Sequence, residues 1–77
     1  MIISAAEMRE GQTGIVVELA GGRGMVRRMQ AMGIRPGVPI SKLTSQPFRG
    51  PVSLQVGATQ VAVGFGIARR IIVEVAG

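Results

Sequence analysis

Short runs of alternating or β-branched apolar residues recur along most of the chain. Residues 15–19 are bounded by glycines on both sides, and residues 52–56 alternate strictly between apolar and polar side chains. Such runs are typical of half-buried strands. In the segment after Gly37, Val38 and Ile40 share one face, Lys42 is a further candidate for that face, and Leu43 breaks the alternation. Five strands are expected on this basis, at residues 15–19, 38–43, 52–56, 61–63 and 71–75.

The period changes to that of a helix between Gly24 and Met32. When successive residues are placed about 100° apart, three methionines fall on one stripe, at Met25, Met29 and Met32. Gly33 stands where a left-handed C-cap belongs, and a proline follows soon after. A helix this short is not stable alone, so its methionine stripe is expected to pack on the sheet.

Two further segments carry weaker helical signals. Ser4 followed three residues later by Glu7 is a capping-box pattern, which predicts one or two helical turns over residues 4–10, ended by Gly11. Residues 67–70 follow a glycine-flanked phenylalanine and predict a single turn before the last strand.

The pattern as a whole predicts a mainly β fold, a small barrel of about five strands with a short amphipathic helix inserted after the first strand. Residues 45–51 contain two prolines and are expected to form a loop. No linker, repeat or low-complexity tract divides the sequence, so residues 1–77 are expected to form one domain.

Composition excludes most site chemistry. The 77 residues include no cysteine and no histidine, and the four acidic residues are all glutamates, far apart in sequence. Enzymatic activity, a cofactor and a metal site built within one chain are therefore not expected. The methionine stripe is compatible with soft-metal ligation, but a buried helix face is the stronger interpretation. The glycines before the helix do not complete a nucleotide-binding motif, and a strand-to-helix turn explains them equally.

The formal charge of +5 favours anionic partners: a nucleic acid, the inner membrane leaflet or an acidic protein surface. A small basic nucleic-acid-binding barrel is the alternative function. Exposed aromatics that stack bases are scarce, however, because the chain has two phenylalanines and no tryptophan or tyrosine. No nucleic acid is therefore expected as partner. The longest apolar run, residues 61–68, is too short for a membrane span, and the N-terminus has no signal-peptide pattern. A soluble protein is expected.

An ordered set of landmarks resembles the FeoA family, which is known as the small cytosolic partner of the bacterial ferrous-iron transporter FeoB. Met32-Gly33-Ile34 followed by Pro36-Gly37 is the most specific element. The resemblance runs from about residue 4 to residue 75, and its other blocks are 11–15, 28–31, 47–51, 61–64 and 68–71. Met29 stands where the family usually has leucine, and Phe65 where it often has a basic or polar residue. We expect Phe65 to be partly buried.

The resemblance implies an SH3-like barrel, also similar to the C-terminal domain of DtxR-type iron-dependent repressors. It further implies a non-enzymatic accessory of ferrous-iron uptake that binds and modulates a FeoB-like membrane GTPase from its cytoplasmic side. Such a protein would be cytoplasmic and peripheral to the inner membrane only through its partner. A homo-oligomer formed through an unpaired sheet edge is a further expectation.

Two surfaces are candidates for partner binding. The first is the outward face of the predicted helix, formed by Arg27 and Gln30 with Arg23 and Arg28 at its edges. The second is the loop of Pro47, Phe48 and Arg49, where a proline-fixed turn presents an aromatic ring and a guanidinium. A merely solvated helix face, and core packing of Phe48, are the alternatives.

Overall fold

A computed structural model describes residues 1–45 and 49–76 of the chain. The predicted mainly β fold with one short amphipathic helix is confirmed. In chain order the elements are β1 (Ile2–Ser4), a turn of 3-10 helix (Ala5–Glu7), β2 (Thr13–Leu19), α1 (Arg23–Ala31), β3 (Pro39–Ser45), β4 (Val52–Val56), β5 (Thr59–Val63), α2 (Phe65–Ala68) and β6 (Ile71–Val75).

The strands form one antiparallel sheet in the order β1-β6-β2-β3-β4-β5. The sequence pattern did not predict β1, which has only three residues and therefore shows no clear alternation. Pairing with the C-terminal strand makes it a strand, with Ile3 opposite Val73. The predicted inserted helix consequently follows the second strand of the sheet, not the first.

The predicted capping box is present, but the helix that it begins is short. The Ser4 side chain accepts a hydrogen bond from the backbone N of Glu7 at 3.3 Å, and Oε1 of Glu7 accepts one from the backbone N of Ser4 at 2.8 Å. Only Ala5–Glu7 is helical, as a single 3-10 turn.

The sheet and the helices enclose one apolar core. Bulges between Val16 and Glu18 in β2 and between Lys42 and Thr44 in β3 shift the register of pairing, which bends these strands around it. The largest fully buried side chains come from β2, α1 and the turn after it, β3, β4 and β6: Val16, Met29, Ile34, Ile40, Leu54, Ile71 and Val73. This core holds α1 and α2 against the sheet and so fixes the direction of their exposed faces.

The predicted end of α1 is confirmed. Gly33 has a φ of +86°, a left-handed conformation that glycine adopts without steric penalty. The backbone N of Ile34 then donates to the carbonyl of Met29 at 3.0 Å, which closes the last turn. Ile34 is fully buried, so the cap also brings the chain back to the core.

Candidate functional site

The outer face of α1 is basic and exposed. Met29 is completely buried, and Met25 and Met32 pack against the same core, so the methionine stripe fixes the rotation of the helix as predicted. Arg27 and Gln30 lie on the opposite side of the helix, Arg23 and Arg28 lie at its edges, and all four are exposed. We call this set the basic helix face.

Arg28 lies in the last turn of α1, where the helix dipole favours a positive charge, but the N-terminal part of the basic helix face is electrostatically unfavourable for the helix. Arg23 is the first residue of α1, where the helix dipole already places positive partial charge, and no acidic residue lies in the first turn. Arg23 and Arg27 are one turn apart, and like charges at this spacing destabilise a helix by about 0.2–0.5 kcal/mol. An anionic group bound at this face would relieve both effects.

The second predicted surface is described only at its end, because Pro47 and Phe48 lie outside the described residues. Arg49 is exposed, and its guanidinium carbon lies 5.6 Å from the centroid of the Phe65 ring. A contact of this geometry is a cation–π interaction worth about 0.5–1 kcal/mol at an exposed site. Phe65 is half-buried at the start of α2, as expected. Arg49 is therefore positioned by α2.

Phe65 also lines a groove that the sequence did not predict. The groove has a volume of about 420 Å³ and runs between β1, the 3-10 helix and α2. Its apolar lining includes Ile2 and Ile72, and its charged residues are Glu7 and Arg69. The unusual aromatic residue at position 65 was the only signal in the sequence, because the other lining residues come from segments that only the pairing of β1 with β6 brings together.

Lys42 is the one cation among the described residues that is buried, with 2% of its surface exposed. Its Nζ donates hydrogen bonds to the carbonyl oxygens of Ala5 at 3.1 Å and Ala6 at 2.9 Å. Burial lowers the pKa of Lys42 below its ordinary value of 10.5, and the negative charge of Glu10 partly offsets this shift. These hydrogen bonds join β3 to the 3-10 helix, so the role of Lys42 is structural.

Two negative findings apply to the described residues. They contain no cluster of three or more His, Cys, Asp or Glu side chains that could hold a metal ion. Among them there is also no helix of the length and apolarity needed to cross a membrane.

Comparisons of the sequence and of the structure with known proteins point to the same family. The model of the FeoA domain matches residues 3–75. A protein of Methanocaldococcus jannaschii, provisionally named Fe(2+) transport protein A, is 34% identical over 66 residues, which cover 86% of this chain and 78% of the relative. A crystal structure of an iron uptake regulatory protein (FeoA) superposes with a TM-score of 0.90 at 38% identity, covering 96% of this chain and 97% of the other.

More distant structures share the fold. FeoA of Stenotrophomonas maltophilia in complex with zinc, described as a procaryotic SH3 domain protein, superposes with a TM-score of 0.81 at 21% identity, covering 94% of this chain and 89% of that one. A manganese-dependent transcriptional repressor contains the same fold in 42% of its length, with 97% of this chain covered, a TM-score of 0.89 and 24% identity. The match over residues 3–75, together with the observed SH3-like architecture, shows that this chain belongs to the FeoA family.

Proposed function

We propose that this protein is a non-enzymatic accessory of ferrous-iron uptake that binds the cytoplasmic portion of a FeoB-like membrane GTPase and modulates it. Membership of the FeoA family is the observation that carries the proposal. The names of the relatives, an Fe(2+) transport protein A and an iron uptake regulatory protein, support the iron-transport role. The protein would act in the cytoplasm, peripheral to the inner membrane through its partner.

The basic helix face is the surface that we propose for this contact. Its three arginines are exposed on one side of a helix whose other side is anchored in the core, so they are presented rigidly. Arginine is enriched at the energetically dominant positions of protein interfaces. The unfavourable placement of Arg23 and Arg27 within the helix supports a role outside it, since local rules are most often violated at functional sites. The loop of Pro47, Phe48 and Arg49 stays a proposed second contact.

A binding titration tests the proposal. The full chain is titrated with the soluble G domain of the cognate FeoB at low ionic strength and at about 150 mM salt, where surface charges more than about 8 Å apart are largely screened. We expect saturable binding that persists at the higher salt. The charge reversal Arg27→Glu is expected to lower the affinity about tenfold or more, as for a central arginine of an interface.

Arg9→Glu is the matched control, because it makes the same charge change at an exposed residue outside α1. Equal loss of affinity in the two variants would mean that net charge and not the basic helix face drives binding. Random-sequence DNA and RNA serve as competing partners. Tight nucleic-acid binding with a steep salt dependence, and no binding of the G domain, would reject the accessory role in favour of a nucleic-acid-binding barrel.

A further inference from the structure

Exposed large apolar side chains are concentrated on one face of the sheet. Ile2, Ile15 and Val17 are 57%, 41% and 40% exposed. Residues directly opposite one another in antiparallel strands point to the same face. Ile2 lies opposite Glu74, and Glu74 lies opposite Ile15, so these three side chains form one row across β1, β6 and β2 on the side away from the core.

The row continues along β2. Val17 lies in the bulge between Val16 and Glu18, and Glu18 then pairs with Ile72 on the same side as Glu74. The neighbouring residue on β3, opposite Ile15, is the exposed Pro39. We call this surface, formed by Ile2, Ile15, Val17, Glu18, Ile72 and Glu74, the outer sheet face. Apolar residues gathered on a surface in this way, with polar residues among them, mark interaction sites.

The two carboxylates of the outer sheet face have no side-chain partner within the described residues. No hydrogen bond or ion pair is formed there by the side chain of Glu18 or of Glu74. This is notable in a chain with nine Lys and Arg and only four Glu. Two of the four glutamates thus have no side-chain partner among the described residues and lie between exposed isoleucine and valine side chains.

This combination selects the chemistry of an occupant. A second copy that packed its own outer sheet face against this one would bring carboxylates near carboxylates, which is destabilising. Nucleic acid and anionic lipid would be repelled by the same two charges. A cationic amphipathic segment would instead cover the apolar side chains and pair its Lys or Arg residues with Glu18 and Glu74.

We propose that the outer sheet face is a docking site for a cationic amphipathic segment of a partner protein. Ile2 and Ile72 also line the groove beside β1, so an apolar side chain of the segment can continue into it. Arg69 lies at the α2 end of this groove and repels positive charge. The cationic residues of the segment are therefore expected toward β2. The proposal uses residues outside the basic helix face and stands independently of the proposed function.

A synthetic peptide tests the docking site directly. The probe is an amphipathic helix of about 18 residues with leucine on one face and lysine on the other, and its counterpart carries glutamate in place of every lysine. Each peptide is titrated into the isotopically labelled full chain while the amide chemical shifts are followed. We expect the lysine peptide to bind saturably, with the largest shifts at Ile2, Ile15, Glu18 and Glu74, and the glutamate peptide not to bind there.

Variants identify the contribution of each chemical feature. Glu18→Gln combined with Glu74→Gln is expected to lower the affinity for the lysine peptide about fivefold, because each exposed ion pair contributes modestly. Ile15→Ser tests the apolar contact and is expected to weaken binding by a similar factor. Arg9→Gln, at an exposed residue outside both the outer sheet face and α1, is the control and should leave the affinity unchanged. All four substituted positions are exposed, so a thermal melt is expected to show folded protein in each case.

Several results would overturn the proposal. Equal binding of the two peptides would remove the role of charge, and shifts confined to α1 would place the site elsewhere. An unchanged affinity in the double glutamine variant would likewise show that Glu18 and Glu74 do not contribute to binding. Concentration-dependent shifts of Ile15 in the free chain would identify a second copy as the occupant.

Discussion

Replacing Lys42 by methionine removes a charge from the protein interior while keeping a side chain of similar length. The residue is 2% exposed, and its ammonium group donates to the carbonyls of Ala5 and Ala6. The Ala5 oxygen keeps a second donor in the variant, because the backbone N of Met8 lies 3.3 Å from it. The described structure shows no other donor for the Ala6 oxygen.

The expected loss of stability follows from these contacts. A carbonyl left without a donor in partly buried surroundings costs about 1–3 kcal/mol, and the loss of a charged donor at the Ala5 oxygen adds to this. Relief of the desolvation of the ammonium group acts in the opposite direction. We expect Lys42→Met to lower the free energy of unfolding by about 2 kcal/mol at pH 7, measured by urea denaturation. A variant as stable as the parent would refute the structural role assigned to these two hydrogen bonds.

The same variant also tests the pKa of Lys42. Because burial lowers this pKa in the folded protein, the unfolded chain binds more protons between the lowered value and the ordinary 10.5. The free energy of unfolding therefore rises as pH increases through that window. This added stability disappears again as pH falls through the pKa of Lys42 in the folded protein. The chain has no tyrosine, cysteine or histidine, and Lys42 is its only lysine, so no other side chain titrates between the lowered pKa of Lys42 and 10.5.

The alkaline experiment has an internal control. Urea denaturation at several values of pH across this range is expected to show rising stability in the parent, by at most about 1.4 kcal/mol per pH unit. Lys42→Met should show no such rise. Falling stability in the parent over the same range would mean that the folded state favours the charged lysine, contrary to the desolvation argument.

Further substitutions test the packing and the capping box by urea denaturation. Met29→Ala removes a completely buried side chain, and we expect a loss of about 2–5 kcal/mol; a smaller loss would mean that the core closes around the gap. Gly14→Ala would place a Cβ 2.8 Å from a side-chain carbon of β6, so a loss of about 1–3 kcal/mol is expected. At Gly24, where nothing lies within 4 Å, alanine should stabilise by roughly 0.5–1 kcal/mol through helix propensity, opposite in sign to Gly14→Ala. Ser4→Ala removes the side-chain acceptor for Glu7 N, with an expected loss of about 1 kcal/mol, and Ser4→Thr should retain most of the stability.

Elements with a local signature could be predicted from the sequence. The stripe of Met25, Met29 and Met32 determined the rotation of α1, because the period of a helix is a property of neighbouring residues. Gly33 determined its end, since few other residues adopt the left-handed conformation there. The basic helix face followed from these two facts. That it is exposed is confirmed, whereas its role in binding stays a prediction.

Features that join distant segments could not be read in this way. The strand Ile2–Ser4 is too short for a periodic pattern and exists because it pairs with β6. From the sequence, Lys42 could only be a candidate for the inner face of its strand, because the carbonyl oxygens that accept its hydrogen bonds belong to a turn at the start of the chain. The groove beside Phe65 depends on the same pairing of the two ends of the chain.

By itself, the sequence determined the local elements, their caps and the family of this protein, because each of these depends on residues close together or on their order along the chain. Only the tertiary structure decided which surfaces those elements present. Glu18 and Glu74 are isolated glutamates in the sequence, yet strand register places them with Ile2 and Ile15 on one face. Register is set by packing across the whole sheet, and a shift of one residue in β2 would turn Ile15 and Glu18 toward the core.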